Sequence, residues 1–469
     1  MKNNDPTSVA QKTEARSRFP KALKSLVIVL CVVALLAAGG VVAYKMARSL
    51  YRGWWASRPP TQIHLAWDNA SDTSMTLRWH TRRTETSSLV DYRLPGESEW
   101  YRVLGRQVHI DETGVQHEAT INNLEPNTTY EYRLKADLMH RFWSATFRFR
   151  TAPPIGDSDF DVIYVADTGL VGRRDGLDTG TQQIIDEIAQ REPLLILGGG
   201  DYAYYSSDNR HGPLDRAIDA WFEQMTSVLH RSVFMPTYGN HETVLKENLS
   251  LWQQRFVTPL GAPDGHNYSF NVGNVHFVSI FAIYEQQGLE PEALEWIEQD
   301  IRQAQDDGFQ WIVPYMHVAP FAEGASHPSN LALRAQLGPL FEELGIEVVL
   351  TSHDQAFERT YPLVGVPGKI EATSESTSCY STEDGVTWLK TSPGGKLSNK
   401  SGGFSVFNTP PSAWVAVRDN TMHVFTKLHV SAEELQVETF GLKQNGQSAA
   451  LLDTFAYKTQ GCETQTSDT

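Results

Sequence analysis

Residues Leu194–Tyr204 read LLILGGGDYAY. An apolar run, three glycines and then an acid with two tyrosines is the pattern of a buried strand that stops abruptly in a polar loop. Upstream, FDVIYVA (Phe160–Ala166) is a second apolar run that ends the same way, in ADTG. Between them TQQIIDEIAQ (Thr181–Gln190) has helical spacing, so the three segments predict a βαβ unit with parallel strands. The alternation continues through SVFMPTY (Ser232–Tyr238) and YSFNVGNVHFVSIF (Tyr268–Phe281), a hairpin turning near Gly273–Asn274. PEALEWIEQDIRQAQ (Pro291–Gln305) opens with proline at a helix start. QWIVPYMH, a helix near Leu331–Leu344, and IEVVLTSH follow. Pro314 is awkward inside a central strand. Further strands are expected at GVTWLKTS, AWVAVRD, TMHVFTKLHV and LQVETFGL, and no internal repeat is found. An α/β domain over residues 158–458 is therefore expected.

Residues 61–152 have a different texture. IHLAW, SMTLRWHT, LVDYRL, EATINNL, TTYEYRLKA and ATFRFRT are short, alternating runs separated by turn residues, an all-β pattern. Leu124–Tyr130, LEPNTTY, resembles the corner of a fibronectin type III-like sandwich, in which a tyrosine hydroxyl bonds to nearby backbone. TAPPIGDSD (Thr151–Asp159) is the linker, and residues 459–469 read as a disordered tail.

Ser25–Tyr44 holds twenty residues without a charge. As a helix it spans roughly 30 Å, the thickness of a bilayer core. A cleaved signal peptide has an apolar stretch of only about 7–15 residues, so the segment reads as a retained transmembrane anchor. Tyr44, Tyr51, Trp54 and Trp55 follow as interfacial aromatics. Lys2, Lys12, Arg16, Arg18, Lys21 and Lys24 precede it, and Lys45, Arg48, Arg52 and Arg58 follow. That balance slightly favours residues 1–24 in the cytoplasm and the remainder outside, as a single-pass membrane protein.

The formal charge is −16, yet residues 1–60 carry +8, so the body carries −24. An acidic body argues against nucleic acid as a partner. It also repels phosphate substrates unless metal ions reverse the charge locally. Cys31 lies in the apolar span; Cys379 and Cys462 form a disulfide or remain two free thiols. Asn69, Asn127, Asn248, Asn267 and Asn399 head N-x-S/T sequons, which matter only in a eukaryotic secretory route.

In α/β folds ligands bind at the carboxyl ends of strands. Those ends here supply Asp167 (ADTG), Asp201 and Tyr204 (GDYAY), Asn240 and His241 (GNHE), His317 (MHVAP), and His353 and Gln355 (SHDQ). Each alone is an ordinary turn or cap residue. Together they form a set of hard oxygen ligands completed by imidazole, without cysteine, that suits divalent or trivalent metals.

In this order, ADTG, GDYAY, GNHE, MH and SHDQAFER resemble the metallophosphoesterase motifs. The tyrosine three residues after Asp201 and the preceding β-domain point to the purple acid phosphatase branch. The resemblance covers roughly residues 60–458. It implies a four-layer α/β/β/α sandwich behind the fibronectin type III-like domain. It further implies a first metal held by Asp167, Asp201, Tyr204 and the residue at 355, and a second held by Asp201, Asn240, His317 and His353. The first would be iron, the second iron, zinc or manganese. His241 and His327 would be outer histidines that steady or protonate a phosphate monoester or diester during attack by a metal-bound hydroxide. Two positions depart from the pattern. Pro314 stands where valine is usual, and Gln355 replaces the histidine that completes the first site. Its neutral amide oxygen either suffices as a ligand or weakens that site. Two functions follow: a membrane-tethered phosphohydrolase, or a non-catalytic phosphate-ester-binding or sensory ectodomain.

Overall fold

The computed structural model describes residues 19–56, 59–68, 70–82, 87–110, 113–135, 143–243, 248–442 and 448–462, with the side chains of 19–24 and 49–56 left aside. Residues 1–18, Asn69 and the tail from 463 onward, about which the sequence raises expectations, lie outside this set. The chain divides into residues 1–58 and 59–469. The first unit holds one helix, Phe19–Ala56. Within it Ser25–Arg48 is 24 residues long with a mean hydropathy of 3.0, enough in length and composition to cross a membrane.

The second unit is a mixed α/β fold. Strands Phe160–Val165, Leu195–Gly198 and Val233–Pro236 run parallel, with Thr181–Arg191 as the crossover helix of the first pair. Both faces of such a sheet are covered, so its strands are apolar throughout. Successive residues point to opposite faces. Val162, Tyr164, Leu195, Leu197, Val233 and Met235 join one core with Phe277, Val313, Tyr315 and Leu350 of the second sheet. Ile163, Val165, Ile196 and Phe234 face instead the helices Thr181–Arg191 and Leu214–Gln224. The second sheet, with parallel strands Val275–Ile280, Trp311–Val318 and Val348–Ser352, turns Val278, Ile280, Ile312 and Val349 toward helices Pro291–Asp306 and Leu331–Glu343.

Pro314 does sit in a central strand, paired with Val278 on one side. The ladder to Val348–Ser352 on the other side starts only at Tyr315, opposite Leu350. The missing N–H therefore falls before that ladder begins. The hairpin Tyr268–Val272 and Val275–Ile280 turns at Gly273–Asn274, where Gly273 takes a φ of +54°.

The N-terminal strands are not a separate body. Strand Thr61–Ala66 pairs antiparallel with Ser74–Thr81 and also parallel with Val233–Pro236, with Leu65 opposite Val233. One eleven-stranded sheet thus runs from the β-rich N-terminal region into the α/β region. Polar bonds seal the junction: Gln62 Nε2 donates to Asp219 at 2.8 Å, and Arg255 pairs with the same carboxylate at 2.6 Å. Tyr130 Oη accepts the Glu125 N–H at 2.9 Å, in the stretch LEPNTTY. Cys379 and Cys462 form a disulfide.

Candidate metal centre

The parallel strands bring their carboxyl ends to one place, and the chain leaves three of them in a strained turn. Asp167, Asp201, Tyr204 and His353 have φ of +54°, +56°, +52° and +77°, a left-handed region that non-glycine residues rarely enter. Such conformations persist only where the surroundings enforce them, and they gather at functional sites. Gly200 shows the enforcement. At φ +90°, a Cβ on it would lie 2.4 Å from the backbone nitrogen of Gly239. The loops bearing Asp201 and Asn240 touch there, and only glycine fits.

Two groups of ligand-type atoms result. In the first, His317 Nε2 lies 3.3 Å from Asp201 Oδ2, 3.2 Å from Asn240 Oδ1 and 3.0 Å from His353 Nδ1. His317 Nδ1 lies 2.8 Å from the Gly199 carbonyl and so carries the proton of the neutral ring. Nε2 is then a lone pair that faces the side-chain oxygens of Asp201 and Asn240. A cation satisfies that arrangement. In the metal-free protein the cation is a proton: burial works against it, but Asp201 lifts His317 to about 9. Burial likewise opposes ionisation of Asp201, and His317 outweighs it, holding this carboxyl well below the usual range. Burial outweighs the hydrogen bond to Glu285 and lowers His353 to about 3.

In the second group Tyr204 Oη donates to Asp167 Oδ1 at 2.5 Å. Gln355 Nε2 stands 3.3 Å from Asp167 Oδ1 and 3.2 Å from Tyr204 Oη, while Gln355 Oε1 is buried with no partner. Turning the amide over places this orphaned oxygen beside the carboxylate and the phenol, a set of three oxygen donors. Burial raises Asp167 against the lowering effect of His317, and burial with the Asp167 charge raises Tyr204. Both shifts are the mark of buried acids lacking a cation. The donor set in both groups therefore fits metal ions.

The structure thus brings together all seven residues read as ligands, Asp167, Asp201, Tyr204, Asn240, His317, His353 and Gln355. The two outer histidines flank them. The His241 ring lies 4.2 Å from that of Tyr204; the His241 backbone N–H donates to Asp201 Oδ1 at 2.8 Å, and Ser206 Oγ meets its ring Nδ1 at 2.8 Å. Burial lowers His241 to about 4. The His327 ring lies 4.0 Å from that of His353.

Several residues that the strand-end pattern does not single out hold these groups in place. Buried Glu242, the last letter of GNHE, accepts the backbone N–H groups of Gly239, Asp201 and Tyr202 at 2.8, 2.8 and 2.9 Å. Ser392 Oγ donates to Asp167 Oδ2 at 2.9 Å. Lys396 Nζ lies 4.5 Å over the Tyr204 ring, and burial lowers it to about 8. Behind His353 and Gln355, buried Lys390 joins Asp354 and Glu358. Of these, Glu242 stands within GNHE and Asp354 and Glu358 within SHDQAFER, while Lys390 and Ser392 lie in the strand run GVTWLKTS and Lys396 just beyond it.

Residues 60–151 match the family described as Purple acid Phosphatase, N-terminal domain. Purple acid phosphatase 15 of Arabidopsis thaliana is 26% identical over 274 residues, 53% of this chain and 50% of that protein. The chain thus spans about half the length of this relative, and 58% of purple acid phosphatase 23 from the same plant. Acid phosphatase type 7 of Homo sapiens is 26% identical over 402 residues, 80% of this chain and 85% of that protein. Among solved structures, purple acid phosphatase PPD1 from yellow lupin seeds superposes with a TM-score of 0.71 at 19% identity, over 88% of this chain and 78% of that one. That likeness gives the fold; residues 60–151 match the N-terminal domain of purple acid phosphatases, and the relatives matched beyond that stretch are purple acid and acid phosphatases.

Proposed function

We propose that the chain is a membrane-anchored, outward-facing hydrolase of phosphate monoesters or diesters that works with two metal ions. The observation that carries this is the convergence of His317 Nε2 with Asp201, Asn240 and His353, next to the buried Asp167–Tyr204–Gln355 group. Asp167, Asp201, Tyr204 and Gln355 would hold one ion, iron by the tyrosine; Asp201, Asn240, His317 and His353 would hold iron, zinc or manganese. Bound there, the ions supply an activated water and neutralise charge on the phosphoryl oxygens.

The chain's own groups do the rest. The His241 N–H occupies Asp201 Oδ1 and leaves Oδ2 turned to His317. Ser206 fixes the His241 ring, so that its Nε2 is free to meet a phosphoryl oxygen. His327 carries the proton for the leaving oxygen. The disulfide supports an oxidising compartment, and the helix Phe19–Ala56 supports a membrane anchor with residues 59 onward outside. The two sheets with helices on their outer faces support an α/β/β/α layering, behind a fibronectin type III-like domain at 61–152.

The test uses the full chain in detergent, loaded with iron, zinc or manganese, on an aryl phosphomonoester and an aryl diester across pH 4–9. Hydrolysis that falls at least about a thousandfold in Asp201→Ala is expected, on the scale of losing a preorganised charge at the reacting centre. A metal-loaded chain that binds phosphate but turns over neither ester refutes the reading and leaves a binding ectodomain.

A further inference from the structure

Glu285 lies in the loop between strand Val275–Ile280 and helix Pro291–Asp306, outside every motif that marks the centre. It is 44% exposed at its side chain, yet one of its oxygens is fully engaged. Oε1 meets His353 Nε2 at 3.2 Å, Lys400 Nζ at 3.1 Å, and His327 Nδ1 more closely still. These three donors come from loops 42, 68 and 115 residues away in the chain.

From this convergence we infer that Glu285 is a positioning residue that fixes the tautomer and orientation of His353 and His327 together. The inference rests on the phosphohydrolase reading and concerns how that site is assembled. An ionised carboxylate only accepts hydrogen bonds, and a neutral imidazole has one N–H. His353 must therefore turn its Nε2–H to Glu285, which leaves Nδ1 as the lone pair. That atom is the one 3.0 Å from His317 Nε2, inside the centre. A carboxylate on the far nitrogen of a metal-binding histidine orients the ring and strengthens it as a ligand. His327 must turn its Nδ1–H to the same oxygen, and the proton for the leaving group is a second one, on Nε2 at the opposite side of the ring, favoured by the adjacent carboxylate charge. Lys400 Nζ is 3.3 Å from His327 Nδ1, but a nitrogen that carries a proton cannot accept one, so Lys400 donates to Glu285 and to the Ser326 carbonyl at 3.3 Å. It keeps the carboxylate ionised and ties the His327 loop down.

The same atoms of Glu285, His327 and His353 lie within 4.8 Å of one another and could instead hold an ion of their own. That would require both rings to aim lone pairs at Glu285 and would turn the His353 proton into the centre, against Asp201 and Asn240. The two arrangements differ in how many ions the chain binds.

The experiment compares the full chain in detergent with its Glu285→Gln and Lys400→Met variants. Zinc and manganese affinity is measured by chelator competition and ion number by elemental analysis, with thermal unfolding of the metal-free proteins as the folding control. Glu285→Gln should bind the same number of ions with the weaker affinity reduced about 10–100-fold. At saturating metal, its kcat should fall about tenfold more on an alkyl than on an aryl phosphomonoester, because the poorer leaving group depends on the positioned proton. Lys400→Met should move both readouts by less than about threefold, as expected for a half-exposed charge. Unchanged affinity in Glu285→Gln, loss of one whole ion per chain, an equal fall in kcat on both esters, or an equal effect of Lys400→Met would each overturn the inference. If the wild-type chain hydrolyses neither ester, the phosphohydrolase reading fails on its own, and the affinity comparison still decides the role of Glu285.

Discussion

Lys390→Met removes the cation from a closed pocket directly behind the centre. The side chains of Lys390, Asp354 and Glu358 are 1%, 1% and 2% exposed. Lys390 Nζ donates to Asp354 Oδ2 at 2.5 Å and also to Glu358, whose two oxygens take the Glu323 N–H at 3.0 and 2.9 Å. Burial opposes the charge on Lys390, but Asp354 and Glu358 raise its pKa, so it is ionised. Methionine fills much of the space but leaves two buried carboxylates without a counter-charge. Breaking a buried pair from one side costs about 3–5 kcal/mol. Unfolding entropy is about 2.1 cal/mol/K per residue, so for a unit of roughly 410 residues that cost lowers Tm by about 4–6 °C. The loop cannot simply relax inward, because even a methyl group at Gly324 would strike Asp354 Oδ2. Asp354 stands between His353 and Gln355, so relief of the repulsion shifts both, and kcat/KM falls about 10–100-fold. The assay is thermal unfolding with and without metal, alongside hydrolysis of an aryl phosphate. A triple variant, Lys390→Met with Asp354→Asn and Glu358→Gln, removes the charges on all sides and should regain at least half of the lost Tm. A single variant that melts within about 1 °C of wild type with full activity, or a triple variant less stable than the single one, refutes the reasoning.

Gln355→His replaces a neutral amide by imidazole beside Asp167 and Tyr204. It should tighten the weaker-held of the two ions at least about tenfold, roughly 1.4 kcal/mol, by chelator competition; no change would mean that this side chain does not face the metal. Glu347 is a buried carboxyl, 7% exposed, which burial pushes up to about 8. Its folded pKa exceeds the unfolded 4.5, so the stability it contributes is complete below pH 4.5 and is lost as pH rises through about 8. Glu347→Gln should therefore raise Tm at pH 9 and change it little at pH 5, with about 5 kcal/mol as the upper bound; equal shifts at both pH values would contradict this. Reducing the Cys379–Cys462 bond, which closes a loop of 83 residues, should cost about 4 kcal/mol and lower Tm by about 4–5 °C in dithiothreitol; an unchanged Tm would show that the bond is not formed or not structural.

The ligand-type residues were legible because of where they stand. Each follows an apolar run whose strand end is fixed by burial, so ADTG, GDYAY, GNHE, MH and SHDQ could be placed before any coordinates. Helix Thr181–Arg191 was legible too: Ile184, Ile185 and Ile188 repeat at helical spacing and lie on its buried face. What was not legible depends on partners remote in the chain. Glu285 meets His353 across 68 residues and Lys390 meets Asp354 across 36, and neither carries a periodic signal of its own. The pairing of Cys379 with Cys462 follows from the strand Cys379–Ser381 lying beside Ala450–Lys458, a register that no local pattern specifies. The N-terminal β-pattern gave no hint of the parallel partner for Thr61–Ala66, because a strand buried on both edges reads like one buried on a single edge.

That partner strand has a consequence for the chain's divisibility. Pro154–Asp157, between the β-rich and α/β regions, is exposed and is a natural place for a protease to cut. A cut there would release nothing, because Leu65 still lies against Val233 and a single core holds Trp67 and Trp79 together with Val162 and Leu195. Synthesised without residues 61–152, the α/β region would instead bare Val233–Pro236, four apolar residues, as a raw sheet edge ready to recruit another chain. The N-terminal region is in this sense an inseparable flank of the α/β scaffold, and a gene fragment that omits it is expected to yield an aggregating chain.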